Sequence, residues 1–363
     1  MLTLNIDRKI EYNRIKLKLV LCFVIATLVP VLVIGLILYQ NSRTIITRKM
    51  SQYSTAKLTQ TEASIQLKLA EFENISAKLF INNRFGSMLE SYVNTKKNAG
   101  ILPNAGTIKS YFNEYMISNQ DIFAFMFICT SDKTRSFVVA KDDYPGFVDL
   151  VSNFTSHSTY RNIVKAGGGI VWSSPINIDR SHFVILGRYI KVLSTGEPLG
   201  VLAIVIDEDK IDQLANMTIY NHISLDEIEN YSIIINNNGE IVSTPFKEAI
   251  GKNISTIMRD VQPLKSLFNS VSNRDYGNEI SQGSFITEVN QKQTLVTFKT
   301  IGSKSGVGGK SGWHLLNFAL TSYLYAEIRT VGLTTLLLGL GFVVFSVFIS
   351  FYAASFVCQK PKA

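Results

Sequence analysis

The chain has 363 residues, 46% hydrophobic and 18% charged, with a mean hydropathy of +0.17 and a formal net charge of +8. That is little charge and much apolarity for a wholly soluble protein, and it fits membrane spans averaged with a globular part. Most of the excess charge lies at the ends; without Asp7, Arg8, Lys9, Glu11, Arg14, Lys16, Lys18, Lys360 and Lys362 the middle carries only roughly +3, which argues against a nucleic-acid surface.

Residues 1–18 are the basic N-terminal segment, and Leu19 to Tyr39 is the first uninterrupted apolar run, with Thr27 and Pro30 as its only oddities. A basic stretch before an apolar one also describes a secretory signal. This run is long for such a signal, and Leu38-Tyr39-Gln40-Asn41-Ser42 offers no small-x-small cleavage site. Residues 19–39 are therefore expected to be an uncleaved membrane span with 1–18 in the cytoplasm. From Asn41 to Phe80 there is no Gly or Pro, and Leu58, Ile65, Leu69, Phe72 and Leu79 keep one stripe on one helix face. This predicts a stalk helix over 40–80 that packs on its own domain, pairs with its twin in a dimer, or does both. Asn-x-Ser/Thr sequons such as those at Asn74, Asn153, Asn216 and Asn253 carry little weight by themselves.

Beyond Pro103 the texture changes. Ile122 to Cys129 has a buried-strand composition, and Ser136 to Ala140 can pair with it. A helix through Tyr160 to Ala166 ends at Gly167-Gly168-Gly169. Strands are expected at Ile170 to Trp172, Phe183 to Val192 and Gly200 to Ile206, and Asp207 can cap the helix running through Ile211 and Leu214. The same order then returns. Tyr231 to Ile235 and Glu240 to Ser243 form a hairpin across Asn236-Asn237-Asn238-Gly239. Gly251 to Val271 reads as turn and helix, followed by strands at Gly283 to Val289, Gln293 to Ile301 and Trp313 to Leu320. Two strands, helices and three strands, done twice, predict an α+β fold of two antiparallel sheets covered by helices. Val331 to Val357 holds no charge and is long enough for a second span, leaving 358–363 as a cytoplasmic stub and 40–330 outside a plasma membrane crossed twice.

The middle resembles a double Cache sensor, two PAS-like domains on one long N-terminal helix, as found in membrane-anchored bacterial sensor histidine kinases of the YesM-like group. The matching stretches are Val171-Trp172-Ser173-Ser174-Pro175, Gly196 to Val201, Ile233-Ile234-Ile235 with Asn238 to Val242, and Gly312-Trp313-His314-Leu315. The resemblance implies a membrane-distal domain at 81–219 and a membrane-proximal one at 220–330. It also implies a HAMP linker and kinase core after the second span, where this chain ends. The expected function is then ligand sensing and transmembrane signalling, with the chain itself no enzyme. The alternatives are the sensor of a chemoreceptor or nucleotide cyclase, or a stand-alone membrane interaction protein. Expected partners are a small molecule or a solute-binding protein, the membrane, and a second copy in a homodimer.

The chemistry-bearing residues offer no catalytic set. His157, His182, His222 and His314 stand in no ligand pair, so neither metal nor cofactor is expected. Cys129 reads as a small buried hydrophobe. Gly306-Val307-Gly308-Gly309-Lys310-Ser311 fails the phosphate-loop pattern at Lys304 and reads as a flexible hairpin loop. A PAS-like pocket between the sheet and its covering helices would be lined by Tyr160, Arg161, Trp172, Arg188 and Tyr189. Alternation puts Arg188 on the face of Val184 and Leu186, with Gly187 leaving room beside it, so that its fork could hold a carboxylate or phosphate. The plainer readings are a solvent-facing rim position for Arg188 and core packing for Trp172. The family's amino-acid-binding members resemble one another in a Trp-Tyr pair and a last-strand Asp. Here these positions are Thr159-Tyr160 and Val205, which leaves a ligand ammonium without its partner.

Overall fold

The computed structural model describes residues 2–95, 105–142, 144–217, 230–258, 261–264, 282–301, 312–324 and 326–357. Residues 53–320 form one compact unit; residues 1–52 and 321–363 form another.

The run free of Gly and Pro becomes part of one long helix, α1 (Leu2–Ile81). It stops where Asn82 caps α2 (Asn83–Asn94), its side chain accepting from Phe85 N. The expected stripe is buried within the chain: Leu58, Ile65, Leu69, Phe72 and Leu79 all lie in the core of the 53–320 unit, joined by Ile75. This face packs on its own domain.

The first sheet contains β1 (Ile122–Cys129), β2 (Phe137–Ala140), β3 (Ile170–Trp172), β4 (Ile176–Ile178), β5 (Ser181–Lys191) and β6 (Pro198–Asp207), in the order β2-β1-β6-β5-β3 with β4 paired to β5. Every pairing is antiparallel. Its central strands are buried on both faces. Phe125, Phe127, Leu186, Leu202 and Ile204 meet α1, α2 and α3 (Ala105–Ser118). Met126, Ile128, Ile185, Ala203 and Val205 meet α4 (Pro145–Asn153) and α5 (Ser158–Lys165). Each such large side chain contributes about 1.5–3 kcal/mol. Double burial explains why β1 reads as an unbroken apolar run.

Asp207 caps α6 (Glu208–Ala215), accepting from Asp209 N at 3.1 Å. The second sheet holds β7 (Asn230–Asn236), β8 (Ile241–Ser243), β9 (Gln282–Val289), β10 (Lys292–Thr300) and β11 (Trp313–Leu320), in the order β8-β7-β11-β10-β9. With β4 set aside, both sheets are wound alike. Gly239 takes φ +74 in the β7–β8 turn, as the Asn-Gly signal requires.

Two expectations need correction. β4 was absent from the sequence reading. The described part of Gly251 to Val271 contains 3-10 turns at Ile254–Thr256 and Gln262–Leu264 and no α-helix. The Gly306–Ser311 loop, His222 and the 358–363 stub lie outside the described residues.

In the other unit, α7 (Thr321–Leu324) precedes the 32-residue α8 (Ala326–Val357). Leu32 and Leu36 of α1, and Leu338 and Phe348 of α8, are more than half exposed. The two helices lie side by side there, a Cβ on Gly339 falling 3.0 Å from Val31. The N-terminal helix is long and apolar enough to cross a membrane.

Candidate functional site

The five sequence-predicted residues divide between the two faces of the first sheet. Arg188 pairs in register with Ile170 and Leu186 with Trp172, so Arg188 and Trp172 share the α1 face. Arg188 Nε donates to Ser76 Oγ at 2.9 Å, Nη1 donates to Gly168 O at 2.7 Å, and the guanidinium lies 5.4 Å from the centre of the Phe80 ring. The residue is 4% exposed, which removes the solvent-facing rim reading. Burial lowers its pKa, and Glu73 opposes the shift. The glycine triplet shapes this contact: Gly167 and Gly168 take φ +64 and +118, a path side chains disfavour, as the turn presents Gly168 O to the fork. Trp172 Nε1 donates to Glu73 Oε1 at 3.1 Å, and its ring packs edge-on to Phe72 and tilts against Trp313 at 5.2 Å. Both residues therefore fasten the sheet to α1.

Tyr160 and Tyr189 lie on the opposite face with α5. Tyr189 is nearly buried, and Lys191 Nζ stands 5.5 Å from its ring centre. Tyr160 packs T-shaped on Phe154. Burial pushes its phenol up, Tyr189 adds to this, and a hydrogen bond with Thr130 opposes it. Arg161 points to solvent, with Nη1 3.4 Å from Ser156 O. The room beside Gly187 is filled, since a Cβ there would collide with Ile163 Cδ1. Val205 is fully buried on this face among apolar neighbours. The α5 face thus offers phenols, a hydroxyl and apolar walls, chemistry suited to hydrogen-bonding an uncharged or aromatic group.

The sequence reading missed Glu73 and Ser76, the α1 partners of Trp172 and Arg188. Each stands four residues after a stripe position (Leu69, Phe72), and that spacing marks them as facing inward. It also missed a charged junction at α6. Lys247 Nζ lies 2.6 Å from Glu208 Oε2, 2.7 Å from Asp209 Oδ1 and 3.1 Å from Asp212 Oδ2. Burial pushes the Glu208 carboxyl up to about 7 against the pull of Lys247. Burial works against the Lys247 ammonium too, but the three carboxylates outweigh it and raise its pKa. Acids at i, i+1 and i+4 of α6 are the signal that could have marked it. Among the described residues no cluster of His, Cys, Asp or Glu is placed to hold a metal.

No family model matches the chain, and no curated protein matches it. Solved structures do. The ligand-binding domain of the Pseudomonas aeruginosa PAO1 amino acid chemoreceptor PctB in complex with L-Arg matches with a TM-score of 0.51 at 12% identity, over 78% of this chain and 93% of that one. The ligand-binding domain of PctC from the same organism, with GABA, matches with a TM-score of 0.49 at 14% identity over 74% and 99%. An extracellular domain described as that of a histidine kinase, mmHK1S-Z2, matches with a TM-score of 0.48 at 13% identity over 76% and 100%. The likeness to PctB is one of fold: two antiparallel sheets with a long N-terminal helix, in keeping with the double Cache resemblance.

Proposed function

We propose that the chain is the ligand-sensing and transmembrane signalling region of a membrane receptor, with 40–330 outside the membrane and α1 and α8 crossing it. The observation that carries this reading is a pair of identically wound sheets packed on a helix whose N-terminal part is apolar enough to span a bilayer. We take the output to be a histidine kinase of the YesM-like group; a chemoreceptor or nucleotide cyclase is the alternative.

The ligand is a small molecule, bound free or delivered by a solute-binding protein, on the α5 face of the first sheet. Tyr160 and Tyr189 are its hydrogen-bonding residues. Val205 disfavours an α-amino acid, because nothing there pairs with an ammonium group. Binding shifts the receptor only by the difference in its affinity for two arrangements, so the ligand must hold α5 and β5 better in one of them.

Thermal unfolding of the detergent-solubilised chain with a panel of organic acids, sugars, nucleosides and amino acids tests this. A stabilising compound whose effect is lost in Tyr160→Phe and Tyr189→Phe is expected. No shift from any compound, or one that survives both substitutions, contradicts the assignment.

A further inference from the structure

We propose that the start of α6 is a proton-operated latch between the two sheets: uptake of one proton by Glu208 tightens the hold of α6 on the second sheet, and its loss loosens that hold. The proposal goes beyond the receptor reading and needs only the fold of residues 53–320.

α6 leaves the first sheet directly, since Asp207 ends β6 and caps the helix. Both of its ends are fastened to the second sheet. At the C-terminal end Asn216 bonds the backbone of Ser232 in β7. At the N-terminal end Glu208 Oε1 accepts from Thr244 N at 3.2 Å, just past β8, and Lys247 Nζ reaches Glu208, Asp209 and Asp212. Three carboxylates thus share one ammonium. Exposure separates them: the side chains of Glu208 and Asp212 are 1% and 0% exposed, and that of Asp209 is 55%. Water solvates Asp209, which leaves two buried carboxylates against a single cation. Asp212 is well held as an anion, because Asn216 Nδ2 donates to its other oxygen at 2.6 Å. Glu208 is therefore the one to take a proton. Once it does, Asp212 and Lys247 balance inside the junction. While it is ionised, one buried negative charge lacks a counter-charge.

Burial pushes the Glu208 carboxyl up to about 7 over the opposing pull of Lys247 and Ser243, with Asp212 adding to the rise. The other groups around it differ. Lys247 stays charged, because the three carboxylates outweigh burial. His182 of β5 faces Lys247 and Asp209, and burial together with Lys247 lowers its pKa from the usual 6.5. Burial raises Asp207 at the end of β6, while the Asp209 N–H, Lys210 and Lys247 oppose that shift. Tyr231 of β7 is pushed up to about 12 by burial and stays neutral. Lys210 and, on α1, Lys68 stand at the α1 side of the helix, where Lys68 pairs with Glu71 and Asp121. On the receptor reading, the latch gives external acidity a hold on the contact between the sheets, separate from the ligand on the α5 face.

In a loosened α6 the Glu208 carboxyl returns to its ordinary 4.5. The ratio of latched to loosened molecules then rises about tenfold from pH 8 to pH 6. Amide hydrogen exchange of the full detergent-solubilised chain, followed by mass spectrometry and corrected for the intrinsic pH dependence of exchange, reads this ratio. In the parent, protection over 208–215 should be about tenfold greater at pH 6 than at pH 8, with a midpoint close to pH 7. Glu208→Gln, neutral at every pH, should hold the pH 6 value throughout. Lys247→Gln removes the cation and should move the midpoint upward by about one unit or more, a shift that a merely structural loss does not produce. His182→Gln should leave the midpoint in place. Equal protection of the parent at both pH values, a response that persists in Glu208→Gln, one abolished in His182→Gln, or a midpoint unmoved in Lys247→Gln would each overturn the proposal.

Discussion

His314 shows how burial sets a residue's chemistry. Its ring nitrogens meet Thr300 Oγ1 at 3.1 Å and Asn237 Oδ1 at 3.0 Å, and burial holds its pKa down to about 4. The folded state therefore refuses a proton that the unfolded chain accepts near 6.5. Stability from this residue is complete above that value and falls as pH drops toward 4, by about 3 kcal/mol in all. Glu208, raised to about 7, acts in the opposite sense over much of the same window, because the folded state takes up its proton first. The difference between the parent and His314→Gln isolates the histidine. Denaturation midpoints at several pH values should show the parent losing ground on acidification relative to the variant; parallel curves would contradict it. Arg188 gives a second residue-scale expectation. Arg188→Ala strips Ser76 and Gly168 O of a buried partner and should cost about 2–4 kcal/mol in urea unfolding. A cost near zero would mean that the fork does not join β5 to α1.

At the scale of elements, much was legible in the sequence. β1, β3 and β11 lie where composition put them, because continuous apolar runs bounded by turn residues leave few alternatives. β4 was not legible. Its turn to β5 uses Asp179 and Arg180 at φ +48 and +72, the left-handed pair of a tight hairpin without the usual glycine. Asn290 and Gln291 join β9 to β10 in the same way. The site was half legible. Alternation correctly paired Arg188 with Leu186, but period two cannot tell which face lies under α1. The sequon at Asn216 reads differently in place. Its side chain accepts from Ser232 N at 2.7 Å and donates to Ser232 O at 2.9 Å, continuing the ladder of β7 where β8 has ended at Ser243. Asn216→Ala should cost about 1–3 kcal/mol through those two lost bonds. Amide exchange at Ser232 should also quicken in the variant; unchanged protection would deny the bridge.

Across the 53–320 unit the two sheets are joined by specific contacts. Trp172 of β3 packs on Trp313 of β11, Ser174 bonds Glu240, and Lys247 clasps α6. The Trp172–Trp313 contact lies on the α1 face of the first sheet, and β11, which it reaches, is followed in the chain by α7 and α8. Asn317 carries the contact on to α1, its Oδ1 accepting from Ser54 Oγ at 3.1 Å. The account requires these sheets to stand outside the cell, where a ligand can reach them. The direct measurement is labelling of Val148→Cys, in the background without native cysteines, by a membrane-impermeant maleimide on intact cells. Full labelling before lysis is predicted. Labelling only after the cells are broken open would place the sensor on the wrong side of the membrane and contradict the account.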